Sequence, residues 1–144
     1  MSKILHTNTQ QRTPMSLLDQ VKKNQSLLKY GIALQNKAAT VGFDWPSYHE
    51  VIDKMQEELS ELKEAIEEQN QTHIEEEFGD LLFVLINLAR HLEIDPDKAL
   101  ENCCQKFQKR FNYIEKSLIK NNKDIQSASL DEMENLWNEA KSSG

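Results

Sequence analysis

Apolar residues along this chain recur every three or four positions rather than every second position. In the first such stretch they include Leu17, Val21, Leu28 and Ile32, and the period continues to Gly42. This spacing places apolar side chains on one face of a helix. It predicts five helices, over residues 14–42, 47–68, 73–91, 96–119 and 129–137. No segment alternates as a strand would, so an all-α fold is expected.

Local signals support the starts of three of these helices. Ser47 is a candidate N-cap, and Asp95 is a cap residue followed by Pro96 at the first helical position. Ser129 and Glu132 have the spacing of a capping box. The helices therefore predict a bundle of about five helices with a four-helix core.

Composition limits the class of protein further. Residues 1–13 are polar and are expected to form a flexible N-terminal tail, with residues 14–144 forming a single domain. The formal net charge of −7 argues against a nucleic-acid partner or an anionic membrane surface. The longest apolar run, Leu81–Ile86, is too short to span a bilayer. The adjacent cysteines Cys103 and Cys104 suit neither an ordinary disulfide nor a zinc site, which favours a reduced, cytoplasmic protein.

Two acidic residues on the second predicted helix point toward its apolar side. Glu58 and Glu61 are three positions apart and so share a face. On a helical wheel, Glu58 falls inside the apolar arc and Glu61 on its edge, whereas Glu64 and Glu67 project away from it. The arc consists of Met55, Leu59, Leu62, Ala65 and Ile66. Because a buried carboxylate is costly unless it is paired or binds a metal, the position of Glu58 indicates a site.

The third predicted helix repeats this arrangement. Glu77 projects between the directions of Val84 and Leu88, and Asp80 lies at the border of the apolar stripe. That stripe consists of Phe78, Leu81, Leu82, Leu85, Leu88, Ala89 and Leu92. Two such pairs on packed helices would bring four oxygen donors together, as Mg²⁺ and a bound polyphosphate require. The alternative is that all four acids are ordinary charges on wet helix faces.

The fourth predicted helix carries the opposite charge. Lys106 and Arg110 are one turn apart and project toward its apolar stripe, where they could clamp phosphate oxygens. A structural ion pair, or a long side chain lying along apolar surface, would explain them equally well. Near the C-terminus, Trp137 could stack on a nucleobase or could simply be part of the core.

Several short motifs occur in a fixed order along the chain. The two acidic motifs are Glu-Glu-Leu-Ser-Glu at 57–61 and Glu-Phe-Gly-Asp at 77–80. They are preceded by Val-Gly-Phe-Asp-Trp-Pro at 41–46, and they are followed by Lys-Phe-Gln-Lys-Arg-Phe at 106–111 and by Trp137. Together they resemble the EExxE…ExxD signature and flanking segments of the MazG-type nucleoside triphosphate pyrophosphohydrolases. The resemblance covers roughly residues 14–140.

The resemblance implies an all-α enzyme, usually a homodimer, that cleaves nucleoside triphosphates between the α- and β-phosphates. The products would be a nucleoside monophosphate and pyrophosphate. If the family's metal ligands are carried over residue by residue, they correspond here to Glu58, Glu61, Glu77 and Asp80. These residues would bind Mg²⁺, with Mn²⁺ as an alternative ion.

The same resemblance suggests roles for other residues. Lys106 and Arg110, and with less support Lys54, would hold phosphates, and Trp137 would contact the base or sugar. Either Glu57 or Glu61 would accept a proton from the attacking water.

Two other functions compete with a broad-specificity enzyme. One is a narrow hydrolase for a single deoxy or non-standard nucleotide such as dUTP or dCTP. The other is a non-catalytic helical interaction module whose acids bind a structural cation. The inward Lys106 and Arg110 favour a nucleotide site, because a site for a cation alone has no need of positive charges.

Overall fold

A computed structural model of the protein describes residues 16–23 and 25–143. These residues form five α-helices and two short 3₁₀ turns, with no strand among them, so the all-α prediction is confirmed for the described part of the chain. The helices are α1 (Leu27–Ala39), α2 (Tyr48–Glu68), α3 (Gln71–His91), α4 (Pro96–Lys120) and α5 (Leu130–Ser142). The turns are Leu17–Gln20 and Ile125–Ser127.

The chain divides into two compact units, residues 1–97 and 98–144. The first contains α1 to α3, and the second contains α5 and nearly all of α4. A single domain over residues 14–144 stays a prediction, and the expected tail over residues 1–13 lies outside the described residues.

Capping explains most of the helix boundaries. The predicted starts at Ser47 and Ser129 are confirmed: the Ser47 side chain accepts a hydrogen bond from the His49 amide and Ser129 accepts one from the Glu132 amide. The third helix begins two residues earlier than the pattern predicts, because the side chain of Asn70 caps it. Just before that cap, Gln69 ends α2 in the left-handed conformation with φ of 59°.

The first predicted helix is wrong in extent. Instead of one helix over residues 14–42, the described residues show a 3₁₀ turn, a non-helical segment and then α1, which begins after Ser26. The Ser26 side chain accepts a hydrogen bond from the Lys29 amide at 3.1 Å, so a new helix starts there despite the continuing apolar period.

The helical hairpin of α2 and α3 forms the centre of the first unit. These two helices pack along each other most extensively, and α1 packs across α3. Val51 and Ala65 of α2 are fully buried. Where α1 meets α3, Gly31 permits a close approach, since a Cβ atom added there would lie 2.3 Å from Ile86 Cδ1.

The apolar stripes of α2 and α3 are only partly buried, which corrects the wheel prediction. Phe78, Leu82 and Leu85 of α3 are exposed, as are Leu59 and Ile66 of α2, although all five were predicted to face the core. Each helix has a broad apolar surface, and its neighbours within the first unit cover one side of it. An exposed stripe of this kind is typical of a surface that meets a partner.

No helix among the described residues is both long and apolar enough to cross a bilayer. A cytoplasmic location stays a prediction.

Candidate functional site

Carboxylates from both helices of the hairpin converge in the first unit. Glu58 lies on α2, and Glu77 and Asp80 lie one turn apart on α3. One oxygen from each of these three side chains lies within 4.8 Å of the others. Sequence spacing predicted each pair, and the packing of α2 against α3 brings the pairs together.

Glu58 is the most deeply buried acid of this cluster, with 6% of its surface exposed. Its Oε1 atom lies 3.1 Å from Lys54 Nζ, one turn earlier on the same helix. Hydrogen bonding to Glu58 is the main reason that the pKa of Lys54 is raised, against the opposing effect of burial. The other oxygen, Glu58 Oε2, is buried and has no hydrogen-bond partner among the described residues.

Glu77 is also contacted by a basic side chain one turn earlier on its own helix, that of His73, to which the sequence pattern assigned no role. His73 Nε2 lies 3.2 Å from Glu77 Oε1, and His73 Nδ1 lies 3.4 Å from Glu68. Burial lowers the pKa of His73, but hydrogen bonds and charge from these two acids raise it above its usual value. Glu77 Oε2, like Glu58 Oε2, is buried without a partner in the described chain. The i, i+4 spacing of His73 and Glu77 was the signal that could have identified this pair.

Glu61 experiences the charge of the same cluster. The pKa of Glu61 is raised, first by the negative charge of Glu58, then by burial, and then by its hydrogen bond and charge interaction with Glu77. Glu57, the other candidate for proton transfer, is mostly exposed and lies 3.6 Å from Lys54. The structure therefore places Glu61 beside the buried acids and Glu57 on the outer side with Lys54.

This donor set fits a hard divalent cation. Buried acceptor oxygens without a donor are destabilising, and two of them occur here on acids that also repel each other. A cation bound by carboxylate oxygens would satisfy both requirements. Lys54 contacts one oxygen of Glu58 and His73 contacts one oxygen of Glu77, which orients each carboxylate as an outer partner of a metal ligand does.

Of the residues predicted to bind the nucleotide, Lys106, Arg110 and Trp137 lie in the second unit, whereas Lys54 lies in the first. The Arg110 guanidinium lies over the Trp137 ring, 5.4 Å from its centroid, and Phe107 packs against the same ring. Lys106 and Arg110 line a pocket of about 370 Å³ together with Lys109 and Lys116. Its cationic walls are chemically suited to an anionic group such as a phosphate.

Part of the chain is similar to a known protein family. Residues 47–114 match the family model described as the MazG nucleotide pyrophosphohydrolase domain. A curated relative from Thermotoga maritima, named nucleoside triphosphate pyrophosphohydrolase/pyrophosphatase MazG, is 40% identical over 108 residues. Residues 47–114 are thus similar to MazG-type domains. The aligned residues cover 75% of this chain and 41% of that relative.

Two further relatives are similar to this chain. The nucleoside triphosphate pyrophosphohydrolase of Escherichia coli is 34% identical over 135 residues, which cover 91% of this chain and 51% of the relative. The uncharacterized protein YabN of Bacillus subtilis is 44% identical over 69 residues, covering 48% of this chain and 14% of YabN. The chain thus spans about half the length, or less, of the relatives it matches.

The MazG-type match includes most, but not all, of the predicted site. It contains both acidic pairs, Lys54, Lys106 and Arg110, whereas Trp137 and all of α1 lie outside residues 47–114. Any contribution of α1 to a binding site must therefore be argued from this structure.

Proposed function

We propose that this protein hydrolyses nucleoside triphosphates between the α- and β-phosphates, giving a nucleoside monophosphate and pyrophosphate. The family match and the names of the relatives support the reaction class. The observation that carries the proposal is the acid cluster, in which one buried oxygen each of Glu58 and Glu77 has no hydrogen-bond partner among the described residues. A helix surface that bore only solvated charges would not bury them.

In this proposal Glu58, Glu61, Glu77 and Asp80 hold Mg²⁺, with Mn²⁺ as an alternative ion. Carboxylate oxygens are the ligands that Mg²⁺ prefers, and it is commonly bound by carboxylates together with substrate phosphates. When bound, the ion would neutralise phosphate charge and lower the pKa of a bound water. Lys54 and His73 would keep the two buried glutamates in their present orientation.

Glu61 is the better candidate for the proton acceptor. Its carboxylate interacts with both Glu58 and Glu77, so it lies at the acid cluster. Glu57 is exposed and paired with Lys54, which makes it the weaker candidate. In the second unit, Lys106 and Arg110 would bind phosphates, and Trp137 would contact the base or sugar.

We further propose that the protein forms a homodimer in which a second copy covers the exposed stripes of α2 and α3. Leu59 and Ile66 on α2, and Phe78, Leu82 and Leu85 on α3, supply the apolar surface. Leu82→Glu tests this proposal by sedimentation: the variant should be monomeric. If it instead remained as associated as the wild type, the stripe would not be the interface.

Broad specificity is the preferred form of this function, and a hydrolase for one deoxy or non-standard nucleotide is the alternative. Incubating the purified protein and Mg²⁺ with ribo-, deoxy- and damaged triphosphates, and separating the products, tests both. Monophosphate with pyrophosphate is expected, and comparable rates across bases would support broad specificity. Diphosphate with phosphate would refute the cleavage position.

Variants of the acids connect this activity to the cluster. Asp80→Asn and Glu61→Gln should each lower the rate at least about 100-fold, because one removes a metal ligand and the other the proton acceptor. Glu64→Gln is the matched control, since Glu64 lies exposed on the same helix as Glu61. Full activity in both site variants would exclude the acid cluster as the active site. No pyrophosphate release by the wild type would instead favour a non-catalytic module with a structural cation.

A further inference from the structure

The second unit carries a concentration of positive charge in an otherwise acidic chain. Between Lys106 and Lys123 there are six basic residues and one acid, Glu115, although the whole chain has a formal net charge of −7. Part of this segment lines the pocket of about 370 Å³ that α4 forms with the end of α5. No acidic side chain is among the described residues that line it. An anion in this pocket would therefore be attracted without meeting an opposing charge.

The cations of this pocket are also unpaired within the described part of the chain. The ion pairs described for residues 98–143 use Lys98 and Lys123, and neither of these lysines lines the pocket. The cations that do line it, and that form no ion pair with a described acid, are Lys106, Lys109, Arg110 and Lys116. Because like charges three or four positions apart destabilise a helix, a bound anion would relieve their repulsion.

These four cations are directed to two different sides of α4. Taking about 100° per residue, Arg110 is turned about 40° from Lys106 in one direction, and its guanidinium covers the Trp137 ring. Lys109 and Lys116 are turned from Lys106 in the other direction, by about 60° and about 80°. The outer face formed by Lys109 and Lys116 is therefore separate from the aromatic side of the helix, to which Arg110 is directed.

Tyr113 completes this outer face. It lies four positions after Lys109 and three before Lys116, so the three side chains are neighbours on α4, and all three line the pocket. The Tyr113 hydroxyl can donate a hydrogen bond, and it has no partner among the described residues. The two lysines are seven residues, or about 10 Å, apart along the helix. Because their side chains are long and flexible, both ammonium groups can reach one ligand between them.

A small, multiply charged oxyanion suits this outer face best. Two ammonium groups and a hydroxyl supply donors to oxygen acceptors, as a condensed phosphate presents them. The pocket volume lies in the range of small-molecule sites. The reaction proposed above releases such an anion, pyrophosphate, and Lys106 and Arg110 of the proposed substrate site line the same pocket.

We infer that Lys109, Tyr113 and Lys116 form a second anion site, which binds pyrophosphate beside the site of the substrate phosphates. The inference rests on the proposed function, because that function makes pyrophosphate a product. A product held on the outer face would leave Lys106 and Arg110 available to the next triphosphate. Lys109, Tyr113 and Lys116 are thus assigned to the product and not to the substrate.

Calorimetric titration of the full chain with pyrophosphate in EDTA tests the site without the acid cluster. Removing divalent ions leaves the cations as the source of affinity, so binding should weaken with rising KCl. Replacing Lys109 and Lys116 together by Gln should weaken it at least about tenfold, since two charges next to a multiply charged anion are lost. The matched control replaces Lys63 and Lys141, both exposed and outside the pocket, by Gln. It has the same net charge and should bind as the wild type does.

A second titration asks whether the site is separate from that of the substrate. The chain is first saturated with Mg²⁺ and a nucleoside triphosphate whose α,β-bridging oxygen is replaced by methylene to prevent cleavage. Pyrophosphate should still bind to the loaded wild type, and not to the loaded variant that lacks Lys109 and Lys116. If the nucleotide displaced pyrophosphate completely, the two lysines would belong to the substrate site and the inference would be wrong.

The remaining outcomes distinguish this inference from its rivals and from the proposed function. Equal losses in the variant and in its matched control would show a general effect of charge and overturn the second site. Tripolyphosphate or single-stranded DNA binding much more tightly than pyrophosphate, with that affinity lost in the variant, would assign the face to a longer polyanion. If the wild type binds pyrophosphate on this face but releases none from any triphosphate, the anion site is supported and the proposed function fails.

Discussion

Mg²⁺ should stabilise this protein against heat, and Asp80→Asn should remove most of that effect. At a separation of 4.8 Å, the limit within the cluster, the Glu58 and Glu77 carboxylates repel by about 3.5 kcal/mol for an effective dielectric constant near 20. Lys54 and His73 offset part of this repulsion, each from one oxygen. The remaining unfavourable charge is what a divalent cation would remove.

The size of the expected shift follows from binding linkage. An ion at about 100 times its dissociation constant stabilises the folded state by about 2.7 kcal/mol. For a chain of 144 residues this corresponds to a rise in Tm of about 10 °C. Asp80→Asn should lose more than half of that rise, because it removes a ligand without removing the Lys54 or His73 pairs.

Differential scanning calorimetry with rising Mg²⁺ at neutral pH measures this effect. KCl at matched ionic strength reports simple screening of the acids, which should be much weaker than the effect of the divalent ion. Glu64→Gln should keep the full shift, since its carboxylate lies outside the cluster. If KCl reproduced the shift, or if Asp80→Asn kept all of it, the cluster would not be a metal site.

Three other predictions test how the site is supported. The pKa of His73 is raised in the folded protein above its ordinary value of 6.5. Protonated His73 therefore stabilises the fold fully below pH 6.5, and this stabilisation is lost as the pH rises through the raised pKa. In metal-free urea unfolding, His73→Leu should therefore cost more stability in weak acid than at alkaline pH; an equal cost at both would contradict the pairing. Gly31→Val should lower the free energy of unfolding by about 2 kcal/mol, because it overpacks the contact with Ile86. Gly79→Ala should raise the free energy of unfolding by about 0.5–1 kcal/mol through helix propensity, since the added Cβ meets no described atom within 4 Å. The reverse order in urea unfolding would refute the α1–α3 packing. Arg90→Met should lower the free energy of unfolding by about 2 kcal/mol and increase proteolysis of the α1–α2 loop, because Asn36, Asp44 and Asn87 lose the hydrogen bonds that Arg90 donates. Unchanged proteolysis would show that other contacts hold the loop.

The sequence was sufficient for the helices and for the acids that face inward. Periodicity located all five described helices, and capping residues such as Ser47 and Ser129 gave two of their starts correctly. The wheel position of Glu58 predicted its burial, because a residue spaced three or four positions from apolar neighbours shares their face. The apolar period failed at Ser26, where a local side-chain cap ended one segment and began another.

Which apolar residues are buried was decided by tertiary packing. Leu82 and Val84 belong to the same apolar helix, yet Val84 is buried and Leu82 is exposed, because burial depends on where a neighbouring helix lies. For the same reason the pattern could pair His73 with Glu77, four positions later on the same helix, but not with Glu68, which stands on the preceding helix.

The sequence by itself determined which side chains could share a helix face, and through its motifs which family of chemistry to expect. The tertiary structure decided which faces meet. The packing of α2 against α3 brought Glu58 within reach of Glu77 and Asp80, and the packing of α1 against α3 placed the Gln35 amide against the Phe83 carbonyl. Helical spacing is a local property of the chain, whereas a metal site needs atoms from separate helices at bonding distance, which local spacing does not encode.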